Sequence, residues 1–394
     1  MKLGLVIPRY GVEVVGGTEH WLRLLCQQLA AARRWRVEVF TTCALSAATW
    51  SDELPPGDVV IEGVTVHRHR SVSGRDPRYL EMYDSIRADP GRVPDDEARR
   101  FIDLVGPVCP DALEQAAASD CDLIALTPYL FWPSVVGTPR LGRRVVFHGA
   151  AHDEPELHLR IMREVFTSVG GFAFNSFAER ALVERTFAVT GIPGAVIGNT
   201  VSEGEGDPDA ARIALGLGAD EPFVLCVGRV DRAKGSHALA ALWRRYRRRR
   251  PQAPRLVLLG PVHASLAGDD DVVVAGLRSE EVKWGALRGC TFLLAPSPWE
   301  SFSLVVLEAW LAGQCVVVNG RSEAAVEHCR RSGGGLWFSD AVEFEVTVDR
   351  VLGDADLRGE MARRGGDYAR RQFSWTAVLD RYGALVDDIL SRAR

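Results

Sequence analysis

Lysine is almost missing from this chain. Lys2, Lys234 and Lys283 are the only three, so arginine supplies the other 44 of the 47 basic residues. Where arginine is the default cation, as GC-rich coding makes it, a lysine that persists marks a place suited to a compact ammonium. Paired cysteines are missing too. The eight present (Cys26, Cys43, Cys109, Cys121, Cys226, Cys290, Cys315 and Cys329) form no CxxC pair and no Cys/His spacing suited to a metal. Several sit inside apolar runs, as in Leu225-Cys226-Val227, where cysteine behaves as a small hydrophobe. A reduced, cytoplasmic setting is therefore expected. No apolar run approaches the ~20 residues that span a bilayer, and residues 1–8 are too short for a signal peptide's apolar core. A net charge of only −5 gives no global field that would favour nucleic acid.

What is there is globular. The chain has 394 residues, 47% of them apolar, and at roughly 150 residues per domain that implies two domains or three. Short apolar runs alternate with helix-period segments, the pattern of βαβ units and a parallel sheet. Strands are expected at 3–7, 37–41, 64–67, 123–127, 144–148 and 172–174, with a helix over 18–32. The polar stretch 71–103 reads as an irregular or short-helical excursion. Apolar content collapses over 199–209, a linker by composition. The rhythm then restarts, with strands expected at 223–227, 255–259, 272–274, 292–295 and 315–318. Residues 375–390 carry Val378, Leu379, Tyr382, Leu385, Val386 and Ile389 at helical spacing. Two such αβ units in succession imply two lobes with a cleft, and ligands of these sheets bind beyond the carboxyl ends of the strands.

Three passages carry chemistry. In residues 295–318 a strand gives way to a loop with Glu300 and then to a helix, expected to start near Ser301 to Ser303, that holds Glu308. A Ser-capped helix start at a strand's end presents free N–H groups to phosphate, and two acids beside it can accept hydrogen bonds from sugar or ribose hydroxyls. In residues 223–236 a strand runs into Gly228-Arg229, and Lys234-Gly235 opens the next helix. Two cations bracketing one βα loop suit a diphosphate, and the GxxxxGK[ST] spacing of a Walker A loop is absent. Gly16 and Gly17 stand at the first loop-to-helix junction, followed by Glu19, without the GxGxxG spacing of a nicotinamide site. His148 ends the strand at 144–148. Asp269-Asp270-Asp271 resembles a metal motif but has no further ligand cluster near it in the sequence, so no metal is expected. The basic run at residues 244–250 is either a solvated helix face or a patch attracted to anionic lipid headgroups.

These passages together resemble the retaining family 4 glycosyltransferases, a GT-B family that uses nucleotide-sugars. Glu300 and Glu308 match its E-x7-E element, and Arg229 and Lys234 match its Gly-Arg…Lys-Gly element. The resemblance implies an α/β GT-B fold of two Rossmann-like domains. Residues 1–198, completed by a helix at 375–394, would bind the acceptor, and residues 199–374 would bind the donor. It further implies a catalytic set of Glu300, His148, Arg229 and Lys234. The implied donor-binding set is Gly16, Gly17, Gly228, Arg229, Lys234, Leu277, Ser301, Phe302, Ser303, Leu304 and Glu308. The family often has glycine where this chain has Ser301 and Ser303. The implied reaction is retaining, hexosyltransferase-type transfer from a nucleotide-diphosphate sugar to a hydroxyl acceptor, with no metal and no cofactor. Peripheral contact with the inner membrane face through the basic run is compatible with it, and the acceptor and oligomeric state stay open. The alternatives are a GT-B epimerase or phosphorylase and a non-catalytic sugar-nucleotide-binding module. A phosphorylase would need a pyridoxal-phosphate lysine, for which only Lys2 and Lys283 remain. A non-catalytic module would not be expected to keep both acids and both cations.

Overall fold

A computed structural model describes residues 1–14 and 16–393. The chain forms two compact units, Met1–Asn199 with Trp375–Arg394, and Thr200–Ser374. Both are α/β with largely parallel sheets. Among the described residues no helix is long and apolar enough to cross a membrane.

The first unit holds strands β1 (Lys2–Val6), β2 (Arg36–Thr42), β3 (Gly57–Ile61), β4 (Val64–His69), β5 (Leu123–Leu126), β6 (Val145–Phe147), β7 (Gly171–Phe174) and β8 (Gly194–Val196). Their order is β3-β4-β2-β1-β5-β6-β7-β8. Its helices are α1 (Gly17–Arg33), α2 (Tyr79–Ala88), α3 (Asp95–Val105), α4 (Pro110–Ala118), α5 (Trp132–Leu141), α6 (Met162–Thr167) and α7 (Phe177–Thr186). The inner strands read as continuous apolar runs because both faces are covered. Along β1, Leu3 and Leu5 join one buried cluster and Val6 joins the other, so alternate residues serve opposite faces. The hairpin β3–β4 pairs antiparallel, unlike the other described strand pairs of this sheet. It turns on Glu62 and Gly63, both at positive φ (50° and 83°), as a two-residue type I′ turn requires.

The chain's last helix, Trp375–Ala393, closes this unit. Val378, Leu379, Tyr382, Leu385, Val386 and Ile389 are all buried, in one cluster with Trp21, Leu22 and Leu29 of α1. Gly171 on β7 makes the approach possible, since a Cβ there would lie 2.4 Å from Cδ1 of Ile389. The 71–103 stretch is more helical than the sequence suggests. Both α2 and α3 form there, joined by edge-to-face contacts of Phe101 with Tyr79 and Tyr83.

The second unit holds α8 (Pro208–Ala214), β9 (Phe223–Val227), α9 (Ser236–Arg249), β10 (Arg255–Leu259), β11 (Val272–Gly276), α10 (Glu280–Gly289), β12 (Leu293–Ala295), α11 (Leu304–Leu311), β13 (Val316–Asn319), α12 (Glu323–Ser332), β14 (Gly335–Phe338), α13 (Ala341–Gly353) and α14 (Ala355–Gln372); the closing helix of the first unit is α15. The six strands lie in the order β11-β10-β9-β12-β13-β14, all parallel. The basic run on α9 is not a bare cationic face. Arg244 and Arg247 pair with Asp269 and Asp271, Arg245 and Arg249 with Glu345, and Arg250 with Asp349. Asp269 and Asp271 thus supply counter-charges to α9, and the Asp270 carbonyl accepts from Arg247.

Helix α11, which carries Glu308, is seated by Trp310. That ring is 1% exposed and donates from Nε1 to the Gly334 carbonyl at 2.9 Å. Gly365 in α14 makes room for it, since a Cβ there would lie 2.3 Å from its Cδ1. Gly365→Ala improves helix propensity by about 1 kcal/mol, but the methyl drives into a packed indole. Overpacking wins, and a net loss of about 1–2 kcal/mol is expected. Denaturant unfolding measures it, and a variant as stable as the parent would mean this contact is looser than described.

Candidate functional site

Four strand ends of the second unit place the site. After β9 the chain passes Gly228 and Arg229 and is tied down by Asp231. Asp231 Oδ1 accepts from the Lys234 backbone N–H (2.6 Å), its Oδ2 lies 3.4 Å from Arg229 Nε, and its own N–H donates to Ser236 Oγ (2.9 Å). Gly235 then starts α9 in the left-handed region at φ 76°. A Cβ there would lie 2.6 Å from the Pro296 carbonyl oxygen, so a residue without a side chain is needed to seat this loop against the one after β12. The same carbonyl accepts from Asn319 Nδ2 at the end of β13 (2.8 Å).

Lys234 Nζ reaches across to Glu300 Oε1 at 2.7 Å and joins the β9 and β12 loops by an ion pair. A second pair joins α10 to α11. Lys283 Nζ on α10 is 2.9 Å from Glu308 Oε1 on α11 and 2.6 Å from Glu280. Burial pulls the Lys283 pKa down, but Glu308 and Glu280 more than offset this and leave it raised. Arg229 is the most open cation of the group, its side chain 49% exposed. Leu277, just past β11, is exposed.

The start of α11 differs from the expected Ser-capped helix. The helix begins at Leu304, and Ser303 precedes it in the left-handed region (φ 74°) without a side-chain cap bond. A non-glycine residue held there stores of order 1 kcal/mol of strain, and glycine would adopt that conformation freely. Phe302 spends its side chain on the core. It is 2% exposed and packs edge-to-face on His328 and Phe373, so only its backbone could meet a ligand.

In the first unit, Gly16 precedes α1. A Cβ there would lie 2.2 Å from Glu19 Oε2 and 3.3 Å from Arg9 Nη2, so Gly16 leaves space for the Arg9–Glu19 ion pair. Gly17 is the first residue of α1. His148 is 5% exposed, with Nε2 3.0 Å from the Tyr382 hydroxyl of α15. Burial pushes its pKa down to about 4. Glu179, at the start of α7, fixes the loop that follows. Its carboxylate accepts from the Ala151 and Asn175 N–H groups at 2.9 and 2.6 Å. Burial holds its pKa up at about 7 against the lowering effect of those bonds. Beyond it, Tyr129 donates to Glu154 at 2.5 Å and His152 Nδ1 is 3.3 Å away. Burial raises Glu154 to about 8.

Glu300, Lys234 and Arg229 thus occupy neighbouring loops, with Glu308 on the helix that follows them, while Gly16, Gly17 and His148 belong to the other unit. Lys283 and Asp231 are participants that sequence reasoning passed over. The scarcity of lysine, applied to Lys234, pointed equally to Lys283. Among the described residues no group of three His, Cys, Asp or Glu side chains converges as a metal site would require.

Comparison with known proteins gives a consistent picture. Residues 221–354 match the family described as Glycosyl transferases group 1. A D-inositol 3-phosphate glycosyltransferase of Frankia alni is 31% identical over 195 residues, 44% of this chain and 47% of the relative. One from Stackebrandtia nassauensis is 28% identical over 289 residues, 66% and 64% respectively. The chain spans about half the length of most of the curated relatives it matches. Among solved structures, a sucrose-phosphate synthase from Thermosynechococcus elongatus superposes with a TM-score of 0.72 at 19% identity over 99% of each chain. Anabaena HepE in complex with UDP-glucose does so at 0.66 and 17% identity, covering 99% of this chain and 100% of the other. The fold is GT-B.

His148 generates a pH test. Its folded pKa lies below the ordinary value of 6.5, so the unfolded chain takes up the proton first and stability is lost as pH falls from about 6.5 to about 4. The gap corresponds to about 3 kcal/mol. His148→Gln, which does not titrate, should lose that part of the pH dependence in chemical unfolding. Parallel curves for variant and parent between pH 7 and 4 would refute the assignment.

Proposed function

We propose, from the premise that residues 221–354 belong to the glycosyl transferases of group 1, that this chain moves a sugar from a nucleotide-diphosphate sugar to a hydroxyl acceptor with retention of anomeric configuration. The observation that carries this reading is the pair of ion pairs Lys234–Glu300 and Lys283–Glu308 on neighbouring loops and helices. A bound diphosphate would bring more negative charge to Lys234 than one carboxylate does, so it takes over the ammonium and is flanked by Arg229. Glu300, released, accepts hydrogen bonds from hydroxyls of the sugar. Glu308, kept in place by Lys283, accepts from the ribose.

When the bond between the anomeric carbon and the diphosphate oxygen breaks, negative charge grows on the leaving oxygen. Lys234 and Arg229 stand ready for it, which is preorganised electrostatic stabilisation. The acceptor oxygen bonds to the anomeric carbon on the same face, and its proton passes to the departing diphosphate. No carboxylate becomes a covalent nucleophile, and the reaction uses neither metal nor cofactor.

The two acids separate in one experiment. Glu308→Gln should weaken binding of a bare nucleoside diphosphate, drawn from UDP, GDP and ADP, as much as it weakens donor binding. Glu300→Gln should leave diphosphate affinity nearly unchanged and depress transfer. Each loss should be about 1.5–3 kcal/mol, a factor of roughly ten to a hundred or more. Calorimetric titration beside a transfer assay decides, and the opposite pattern would exchange the two roles. Lys234→Ala together with Arg229→Ala should abolish diphosphate binding; retained binding would overturn the site. Activity should also survive EDTA, whereas loss restored by a divalent ion would show that a metal carries the diphosphate's charge.

A further inference from the structure

Arg75 is a cation without a counter-ion. It lies in the segment between β4 and α2, partly buried, and its Nε donates to the Val105 carbonyl at 3.4 Å. Its guanidinium carbon stands 5.1 Å from the Trp50 ring, 5.5 Å from Tyr79 and 5.8 Å from Phe131. Among the described residues no carboxylate pairs with it. Arginine stays charged in proteins, and a desolvated charge is costly unless something offsets it. Three aromatic rings and a hydrogen bond to the Tyr79 side chain offset part of that cost, but none of them supplies a negative charge.

The surroundings add charge of the same sign. Arg9 stands 5.7 Å from the same indole, ion-paired with Glu19 and donating to the Leu45 carbonyl at 2.8 Å. Glu19 thus answers the charge of Arg9 and not that of Arg75. Trp50 between them is held rigidly: 1% exposed, its Nε1 bonded to the Val105 carbonyl at 2.8 Å, and its backbone in the left-handed region at φ 55°. Strained backbone of this kind persists where the surroundings over-determine it, and such places cluster at ligand sites. Arg9, Trp50, Arg75 and Phe131 follow β1, β2, β4 and β5 respectively, so all four lie in loops past the carboxyl ends of parallel strands, where sheets of this class bind ligands.

We propose that Arg75, braced by Trp50, Tyr79 and Phe131 and backed by Arg9, holds an oxyanion of the acceptor, a phosphate or a carboxylate, so that this chain's acceptor is an anionic hydroxyl compound. The planar guanidinium suits two parallel hydrogen bonds to such a group. The proposal rests on the transferase reading for the word acceptor, while the anion site stands on Arg75 itself.

The test uses the full chain. Calorimetric titration with inorganic phosphate, without nucleotide, is compared for the parent, Arg75→Gln and Arg75→Lys. Titrations with D-glucose 6-phosphate, D-glucuronate and D-glucose follow, at saturating UDP. The parent should bind phosphate and one of the two anionic sugars at least tenfold more tightly than glucose, and the preferred anion identifies phosphate or carboxylate. Arg75→Gln should lose at least tenfold for the anions while UDP affinity changes less than twofold. Arg75→Lys, which keeps the charge and loses the fork, should fall between. Equal binding of glucose and the anions, unchanged anion binding in Arg75→Gln, or no anion binding by a parent that binds UDP would each overturn the proposal. A parent that binds phosphate through Arg75 but no nucleotide would leave the anion site standing and remove the transferase reading.

Discussion

The contact between Lys234 and Glu300 is what the rest of the second unit is arranged around. Lys234 lies in the loop past the carboxyl end of β9, and a carboxylate on the loop after β12 stands 2.7 Å from its ammonium. The backbone is fitted to this one pairing. Asp231 fixes the loop that carries the lysine, Gly235 lets it sit on the Pro296 carbonyl, and Asn319 holds that carbonyl from the far side. The pair is 35% and 20% exposed at its two side chains, and ion pairs in such positions contribute only about 0–1 kcal/mol. On the proposed reading a more highly charged ligand would displace it at little cost. The Lys283–Glu308 pair is more enclosed, at 15% and 16%, and is the better suited of the two to stay together when a ligand arrives.

Much of the architecture was readable before any coordinates. Central strands were legible because a parallel sheet covered on both faces must be apolar throughout, and six buried positions of α15 announced themselves by spacing. The elements that escaped share a physical reason. Strands β3, β8 and β14 all lie at sheet edges: β3 leaves Val60 exposed, β8 is three half-buried residues, and β14 is four residues that open on glycine. The serines before α11 looked like caps by type, but the chain turns Ser303 into a left-handed conformation that its sequence context does not advertise. The arginines of α9 looked like a charged face because their partners lie roughly 20 to 100 residues away, out of reach of any local pattern. Glu300, Glu308, Arg229 and Lys234 were legible as chemistry. Lys283 was not, although its rarity alone distinguished it, because its role depends on a helix contact between α10 and α11.

The position of α15 has a consequence for how the molecule is made. One face of the first sheet is covered jointly by α1, from the start of the chain, and by α15, from residues 375–393. During synthesis residues 1–199 emerge before the second unit yet lack the α15 part of this cover, and the cluster that includes Leu3, Leu5, Val37 and Ile197 stays incomplete while nearly two hundred further residues are translated. Domains generally fold in order as they leave the ribosome. Here the order is inverted for completion: the second unit, contiguous in sequence, can be finished first, and the earliest strands are the last to be sealed.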